Sequence, residues 1–275
     1  MPIGRSPAPM PRFFAGVLLA IILPHLENAA ADESNWTRIV NGNDLDGWYT
    51  YLQKHGKNSD PERIVTIDDG VIHLYKHAEH GSEVVQGYIG TDKEYSHYHL
   101  RVQYKWGEKK FRPRFEALRD AGIYYHMVGA DRVWPRALQF QVLRTHVGDI
   151  VTVGHLRYDT TVDPATKDDD KPTFMSPENG GVPHTHGLHL ITHLARRALH
   201  EQEDWNTIEI IVHGDRAEHR LNGHLVARLT KARQPDPNDP QRYIPLTKGR
   251  ILLEIEAAEV FFRNVEIKLL DGTAE

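Results

Sequence analysis

Twelve short segments of the chain alternate between apolar and polar positions, and turn-forming residues separate them. They span 64–67, 71–75, 84–90, 97–106, 122–128, 136–143, 149–156, 206–213, 217–221, 224–229, 250–256 and 260–269. A period of two is the signature of a strand with one buried face. Asp68-Asp69-Gly70 and Leu221-Asn222-Gly223 predict hairpin turns, because Asp-Gly and Asn-Gly accept positive φ. A dozen strands with little helix between them predict an all-β fold, an antiparallel sandwich or jelly roll. No internal repeat is visible. Two stretches depart from the pattern. Residues 159–187 are polar and rich in Pro, Gly and Asp, which predicts a long surface loop. Residues 231–245 predict a second loop held open by its prolines. Long loops on a β scaffold either shape a binding site or are plain excursions.

Several strands are two-faced in an informative way. In 136–143, Leu138, Phe140 and Val142 alternate with Gln139 and Gln141. A row of amides both donates and accepts hydrogen bonds, which suits a neutral, hydroxyl-rich ligand such as a sugar. A solvated strand face would show the same alternation. In 97–106, Tyr98, Leu100, Val102 and Tyr104 alternate with His97, His99, Arg101 and Gln103. In 250–256, Ile251, Leu253 and Ile255 alternate with Arg250, Leu252, Glu254 and Glu256, and in 122–128 Tyr124 and His126 share a face. If these strands are neighbours, His, Arg, Gln and Glu converge on one curved sheet. Its concave ligand face would offer Tyr124, Trp134 and Trp106 for stacking on sugar rings. In 260–269, Phe261, Arg263, Val265, Ile267 and Leu269 share a face, so Arg263 either finds a carboxylate partner or serves as a structural tie.

Composition narrows the function classes. The chain has 275 residues, a formal net charge of −5 and a pI near 6.4, which argues against a nucleic-acid partner. A hydrophobic content of 40% suits a sizeable core, and a mean hydropathy of −0.53 excludes a polytopic membrane protein. The start reads as an export signal. Residues 1–12 carry Arg5 and Arg12, residues 13–23 form an apolar run, and Ala29-Ala30-Ala31 offers small residues for cleavage. The apolar run falls short of the roughly 20 residues that span a bilayer. Residues 1–31 are therefore expected to be a signal peptide, with an uncleaved anchor or a buried helix as alternatives. Residues 32–275 are expected to form one domain, periplasmic or secreted and free of the membrane after cleavage. The chain has no cysteine, so its stability must come from core burial rather than disulfides.

Two constellations carry possible chemistry. Of 18 histidines, His184, His186, His189 and His193 cluster in or beside the first predicted loop. His189 and His193 are four apart, a metal-binding spacing if they lie on a helix, whereas a solvated His-rich loop explains them equally. Glu254-Ile255-Glu256-Ala257-Ala258-Glu259 resembles the Glu-x-Asp-x-x-Glu strand of laminarinase-like retaining glycosidases, with Glu in place of the middle Asp and a position near the C-terminus. No Gly-x-Ser-x-Gly elbow, phosphate loop or dinucleotide fingerprint is present.

The motifs taken in order resemble the bacterial 3-keto-disaccharide hydrolase family. The run from Ile39 to Trp48, Ile-Val-Asn-Gly-Asn-Asp-Leu-Asp-Gly-Trp, is similar to the family's LFNGKDLSGW opening. Ala121-Gly122-Ile123-Tyr124-Tyr125 is similar to SGIYLR, and Trp134-Pro135-Arg136 through Gln141, with Gly148-Asp149, to WPRSIECQ…GD. Asp204-Trp205-Asn206-Thr207 and the hairpin Leu221-Asn222-Gly223 have counterparts, as does the stretch from Gly249 through Phe262-Arg263-Asn264-Val265. The resemblance covers about residues 36–270. It implies a concanavalin A-like jelly-roll sandwich that acts on a 3-keto-glycoside, a small-molecule or oligosaccharide substrate. A ketone at C3 acidifies the C2 proton; a base removes it, the glycosidic oxygen leaves by β-elimination, and water adds to the glycal. A divalent metal ion or an arginine would hold the enolate. On this reading His126, Glu256 and Asp149 are the candidate catalytic residues. Tyr124, Trp134, Gln139, Gln141, His155 and Arg263 are the candidate substrate contacts. Relatives commonly carry Glu at the position of Gln139, often Glu at that of Gln103, and Ser at that of Ala121. Glutamine cannot act as a base, so a non-catalytic carbohydrate-binding module is the alternative, followed by a laminarinase-like glycosidase.

Overall fold

In the computed structural model, described for Met1 and residues 35–187, 189–196 and 199–272, contacts divide the chain into Met1–Asn35 and Trp36–Glu275. The expected signal peptide therefore lies outside the described residues, Met1 apart. Nineteen strands are described. The first six are β1 (Thr37–Arg38), β2 (Trp48–Leu52), β3 (Gly56–Lys57), β4 (Val65–Asp68), β5 (Val71–Leu74) and β6 (Gly87–Thr91). There follow β7 (His97–Lys110), β8 (Asp120–Val128), β9 (Arg136–Leu143), β10 (Ile150–Val153), β11 (Arg157–Val162), β12 (Val182–His186) and β13 (Ile191–Leu194). The last are β14 (Asn206–His213), β15 (Arg216–Leu221), β16 (His224–Asp236), β17 (Asp239–Pro245), β18 (Arg250–Ile255) and β19 (Ala258–Leu269). One 3-10 turn, Pro177–Asn179, is the only helical element among the described residues, and none there is long and apolar enough to cross a membrane.

The strands form two antiparallel sheets, a jelly-roll sandwich of the concanavalin A-like kind. The first runs β12-β11-β16-β15-β14-β7-β19-β5-β4, with β1 on β19 and β17 on β16; the second runs β13-β10-β9-β8-β18-β6-β2-β3. Alternation builds the core between them. Tyr98, Leu100, Val102 and Tyr104 of β7 meet Ala121, Ile123 and Tyr125 of β8, Leu138, Phe140 and Val142 of β9, and Ile251, Leu253 and Ile255 of β18 in one cluster. Each buried Ile, Leu or Phe stabilises the sandwich by roughly 1.5–3 kcal/mol. A smaller cluster of Tyr49, Tyr88, Tyr124, Met127, Ala137, Val151, Val153 and Leu252 lies on the outer face of the second sheet. Both predicted hairpins are present. Asp69 (φ 48°) and Gly70 (φ 77°) join β4 to β5, and Asn222 (φ 51°) and Gly223 (φ 80°) join β15 to β16.

Four expectations need correction. Residues 231–245 are a hairpin rather than an open loop: β16 runs through Pro235 and β17 returns against it, Gln234 opposite Ile244. The prolines are accommodated because proline suits extended backbone and β17 is an edge strand. Residues 159–187 are only partly loop, since β11 and β12 pair at the edge of the first sheet and the excursion between them is 163–181. The polar face of β7 does not join those of β9 and β18, because β7 belongs to the other sheet and turns its histidines and Arg101 to the opposite side of the sandwich. Arg263 does not share a face with Val265 and Ile267. A bulge between Arg263 and Glu266, with Asn264 at φ 48°, resets the alternation of β19.

Candidate active site on the outer face of the second sheet

Three neighbouring strands place one polar constellation on the side of the second sheet that faces away from the core. β8 is central, β9 and β18 flank it, Tyr124 pairs with Gln139 and Gly122 with Gln141, and Asp120 bridges to Glu256 just beyond β18. Side chains two residues apart on a strand lie on one face. Asp120, Gly122 and Tyr124 thus meet Gln139 and Gln141 from one side and Glu254 and Glu256 from the other. The carboxylates of Asp120, Glu254 and Glu256 lie within 4.8 Å of one another, and all three residues are buried.

Each carboxylate has named partners. Glu254 accepts from the Tyr124 hydroxyl at 2.6 Å and from the Gln139 amide at 2.6 Å. Asp120 accepts from the Gln141 amide at 2.7 Å and from Arg114 at 2.5 Å, and Arg114 also reaches Glu256 at 2.8 Å. Gly122 makes the Gln139–Glu254 contact possible, since a Cβ there would collide with the Gln139 amide and sit 2.7 Å from Glu254 Oε2. Burial is the largest force on the acids. It raises the pKa of Glu254, which the neighbouring Glu256 and Asp120 raise further. It raises Asp120 as well, with Glu256 adding to the effect and Arg114 opposing it. Glu256 is raised less, because Arg114 favours its anion. The carboxylates of Glu254 and Glu256 lie within 4.8 Å of one another, so burial and mutual repulsion favour a shared proton; Arg114, bound to Glu256, favours its residence on Glu254. The cluster therefore pairs a protonated carboxylic acid with an arginine-held carboxylate, and it titrates as a unit.

A second polar node sits on the same face. The hydroxyls of Tyr49 and Tyr88 both donate to Asp131 Oδ1 at 2.7 Å, Tyr51 stacks on Tyr88 at 5.5 Å, and the Lys57 ammonium lies 3.7 Å over the Tyr49 ring.

Of the residues singled out by sequence, Tyr124, Gln139, Gln141 and Glu256 converge here. His126 does not. It occupies the β8 bulge at φ 51°, which turns its ring off the face of Tyr124 and inward, against Tyr98 and Tyr125. Its Nε2 donates to the Gly214 carbonyl at 2.7 Å, and burial pushes its pKa down to about 4. Arg263 is on the first sheet, where its Nε donates to Gln103 at 2.8 Å and its guanidinium covers the Trp205 ring at 3.8 Å. Its partners are an amide and an indole rather than the expected carboxylate. Asp149 is buried and its carboxylate accepts the Arg196 backbone N–H at 3.0 Å, a tie to the segment after β13. Trp134 and His155 line a separate cavity of about 370 Å³ with Arg132 and Arg136. Trp106 donates its indole N–H to Glu201 at 2.8 Å. Glu259 leaves the acidic run because Ala257, at φ 55°, reverses the side on which its neighbours project; it binds His73 at 2.9 Å and Lys109 at 3.1 Å.

Asp120 and Arg114 were not foreseen. Asp120 sits two residues before the predicted strand, in line with Gly122 and Tyr124, so extending the alternation by one period finds it. Arg114 comes from a segment with no periodic signal.

The fold resembles that of a glycosyl hydrolase candidate from Parabacteroides distasonis at 19% identity and a TM-score of 0.51, covering 91% of this chain and 99% of the other. A second candidate from the same organism matches at 17% identity and a TM-score of 0.50, covering 86% and 99%. No curated protein matches the chain. Residues 35–268, nearly all of the described sandwich with its carboxyl cluster, match one family over their whole length. The chain thus belongs to the 3-keto-alpha-glucoside-1,2-lyase-like domain family.

Proposed function

We propose that this protein is an exported carbohydrate-active enzyme that cleaves a 3-keto-glycoside by β-elimination at the carboxyl cluster, with hydration of the glycal after it. The observation that carries the reading is the contrast between Glu254 and Glu256. Two adjacent carboxyls with different environments divide acid and base roles between them. Glu256, held toward its anion by Arg114, takes the acidified C2 proton. Glu254, kept protonated, gives its proton to the departing glycosidic oxygen. Arg114 stands beside Glu256 and Asp120 and offsets charge that develops at the C3 oxygen. Gln141 and Tyr124 supply hydrogen bonds suited to sugar hydroxyls.

A divalent metal fits the same residues. Asp120, Glu254 and Glu256 are hard oxygen donors, and their mutual repulsion is relieved by a cation. Those three would hold it, and when bound it supplies Lewis-acid stabilisation of the enolate.

The acids bear less well on a retaining glucanase. The carboxylates of Glu254 and Glu256 come within 4.8 Å, closer than the roughly 5–5.5 Å that separates a nucleophile from its acid, and Glu259 points to other partners. A binding module remains the second reading, favoured by Gln139, an amide that cannot act as a base beside Glu254.

The test is incubation of the purified chain with a chromogenic 3-keto-glucoside, with and without divalent metal. Aglycone release that E256Q abolishes and E254Q slows by at least ~100-fold is the expected result. Glycan binding by calorimetry with no release at any pH from 5 to 9 would overturn catalysis and select the binding module.

A further inference from the structure

A second site lies where the two sheets end side by side. β12 is an edge strand of the first sheet and β13 of the second. Both strands reach a cavity of about 380 Å³ lined by His184, His186, His189, His193, Asp169 and Asp170. His184 and His186 are two apart on β12 and so share a face. Their rings touch, His184 Nε2 to His186 Nδ1 at 3.3 Å. His186 is only 6% exposed, and its Nε2 is buried with no hydrogen-bond partner. The His193 backbone lies against the same ring. Buried polar nitrogens are nearly always satisfied, so an orphan in the wall of a cavity lined by other histidines points to a ligand.

We propose that His184, His186 and His193 bind one late first-row divalent cation, with His189, Asp169 or Asp170 completing the shell. The ion clips an edge strand of one sheet to an edge strand of the other. Imidazole donors suit Zn²⁺, Ni²⁺ or Cu²⁺, whereas Mg²⁺ and Ca²⁺ prefer all-oxygen sets. The chemistry therefore separates this site from the carboxyl cluster. In the tautomer in which His186 Nδ1–H donates to His184 Nε2, the lone pair of His186 is on Nε2. Lys171 stands on the same wall, and Asp169 and Asp170 offset its charge. The ring nitrogens are not drawn together as tightly as the three carboxylates, so binding proceeds with side-chain rotation.

The experiment titrates Zn²⁺ into the untagged full-length protein after chelator dialysis, with calorimetry and elemental analysis as readouts. One equivalent bound at micromolar affinity or tighter is expected, with Ca²⁺ failing to compete. H186Q and H193Q each weaken binding by at least ~10-fold. E254Q does not, which keeps the result independent of the carboxyl site. Saturating Zn²⁺ raises the Tm of the wild type by about 5 °C and leaves that of H186Q unmoved. If H186Q does not fold, H184Q, at a less buried ring, replaces it. Zinc uptake unchanged in the histidine variants, no stoichiometric uptake, or equal competition by Ca²⁺ would each overturn the proposal.

Discussion

Gln139 donates its amide to Glu254 Oε2 across 2.6 Å, spanning β8 from β9 to β18 over the bare backbone of Gly122. This contact holds a buried carboxyl in place without adding charge. A glutamate at 139 would bring a fourth acid against three that already repel one another. The glutamine is therefore a working part of the cluster as it stands here.

The pH dependence of stability should report the cluster directly. The folded-state pKa values of Asp120, Glu254 and Glu256 are raised, so between about pH 4 and the raised values the native state binds more protons than the unfolded chain. Their contribution is fully present below the ordinary carboxyl range and is lost as pH rises. Replacing Glu254 with Gln removes one acid and the repulsion it feels. E254Q is expected to be more stable than wild type at pH 8, by about 1–2 kcal/mol, with the gap closing toward pH 4.5. Denaturant melts across that range check the sign; a gap that widens toward acid refutes it.

A methyl group at position 122 should disable the site from below. The Cβ of G122A would meet the Gln139 amide and lie 2.7 Å from Glu254 Oε2, so β8 or the two side chains must shift. Overpacking at such a place costs about 2 kcal/mol, or about 5 °C in Tm. Glycoside cleavage should fall by more than the stability loss explains, measured well below the melting temperature.

His219 should contribute strongly to the acid limb of stability, beside His126 and His186. It is fully buried, its Nε2 meets the Tyr125 hydroxyl at 2.9 Å, and burial pushes its pKa down to about 3. A depressed histidine binds its proton in the unfolded chain first, so its contribution is present above about pH 6.5 and is lost as pH falls toward the folded value. At pH 5 this costs about 2 kcal/mol. H219Q is expected to lower stability at pH 7.5 yet flatten the decline between pH 7 and pH 5, read by thermal melts in matched buffers.

Arg263 offers the opposite control. Its contacts, Gln103 and the Trp205 ring, lie on the far side of the sandwich from the carboxyl cluster. R263A should lower stability by about 1 kcal/mol and leave the rate of glycoside cleavage within twofold of wild type. A rate loss of tenfold or more would place this arginine in the reaction after all.

Much of the site could be read from single strands. The alternation of 136–143 put Gln139 and Gln141 on one face, and that of 250–256 put Glu254 and Glu256 on another, as the burial of both strands bears out. His126 defeated the same reasoning. A positive φ at one residue reverses every side after it, and nothing in the identity of a histidine announces that. Arg263 failed likewise at the bulge beside Asn264. Arg114 carried no signal, because an irregular segment is placed by the elements it crosses.

The sequence alone determined twelve of the nineteen described strands, both tight hairpins, the inward face of most of those strands and the kinship of the whole sandwich, since all of these rest on period-two alternation, turn residues with permitted positive φ, and ordered motifs. Tertiary structure decided which strands are neighbours. It set β7 and Arg263 on one sheet, Gln139 and Glu254 on the other, and brought Asp120, Glu254 and Glu256 from strands far apart in the chain into one buried group. The reason is range: side-chain alternation is fixed by local backbone geometry, whereas pairing, bulges and the pKa values they produce depend on residues more than a hundred positions away.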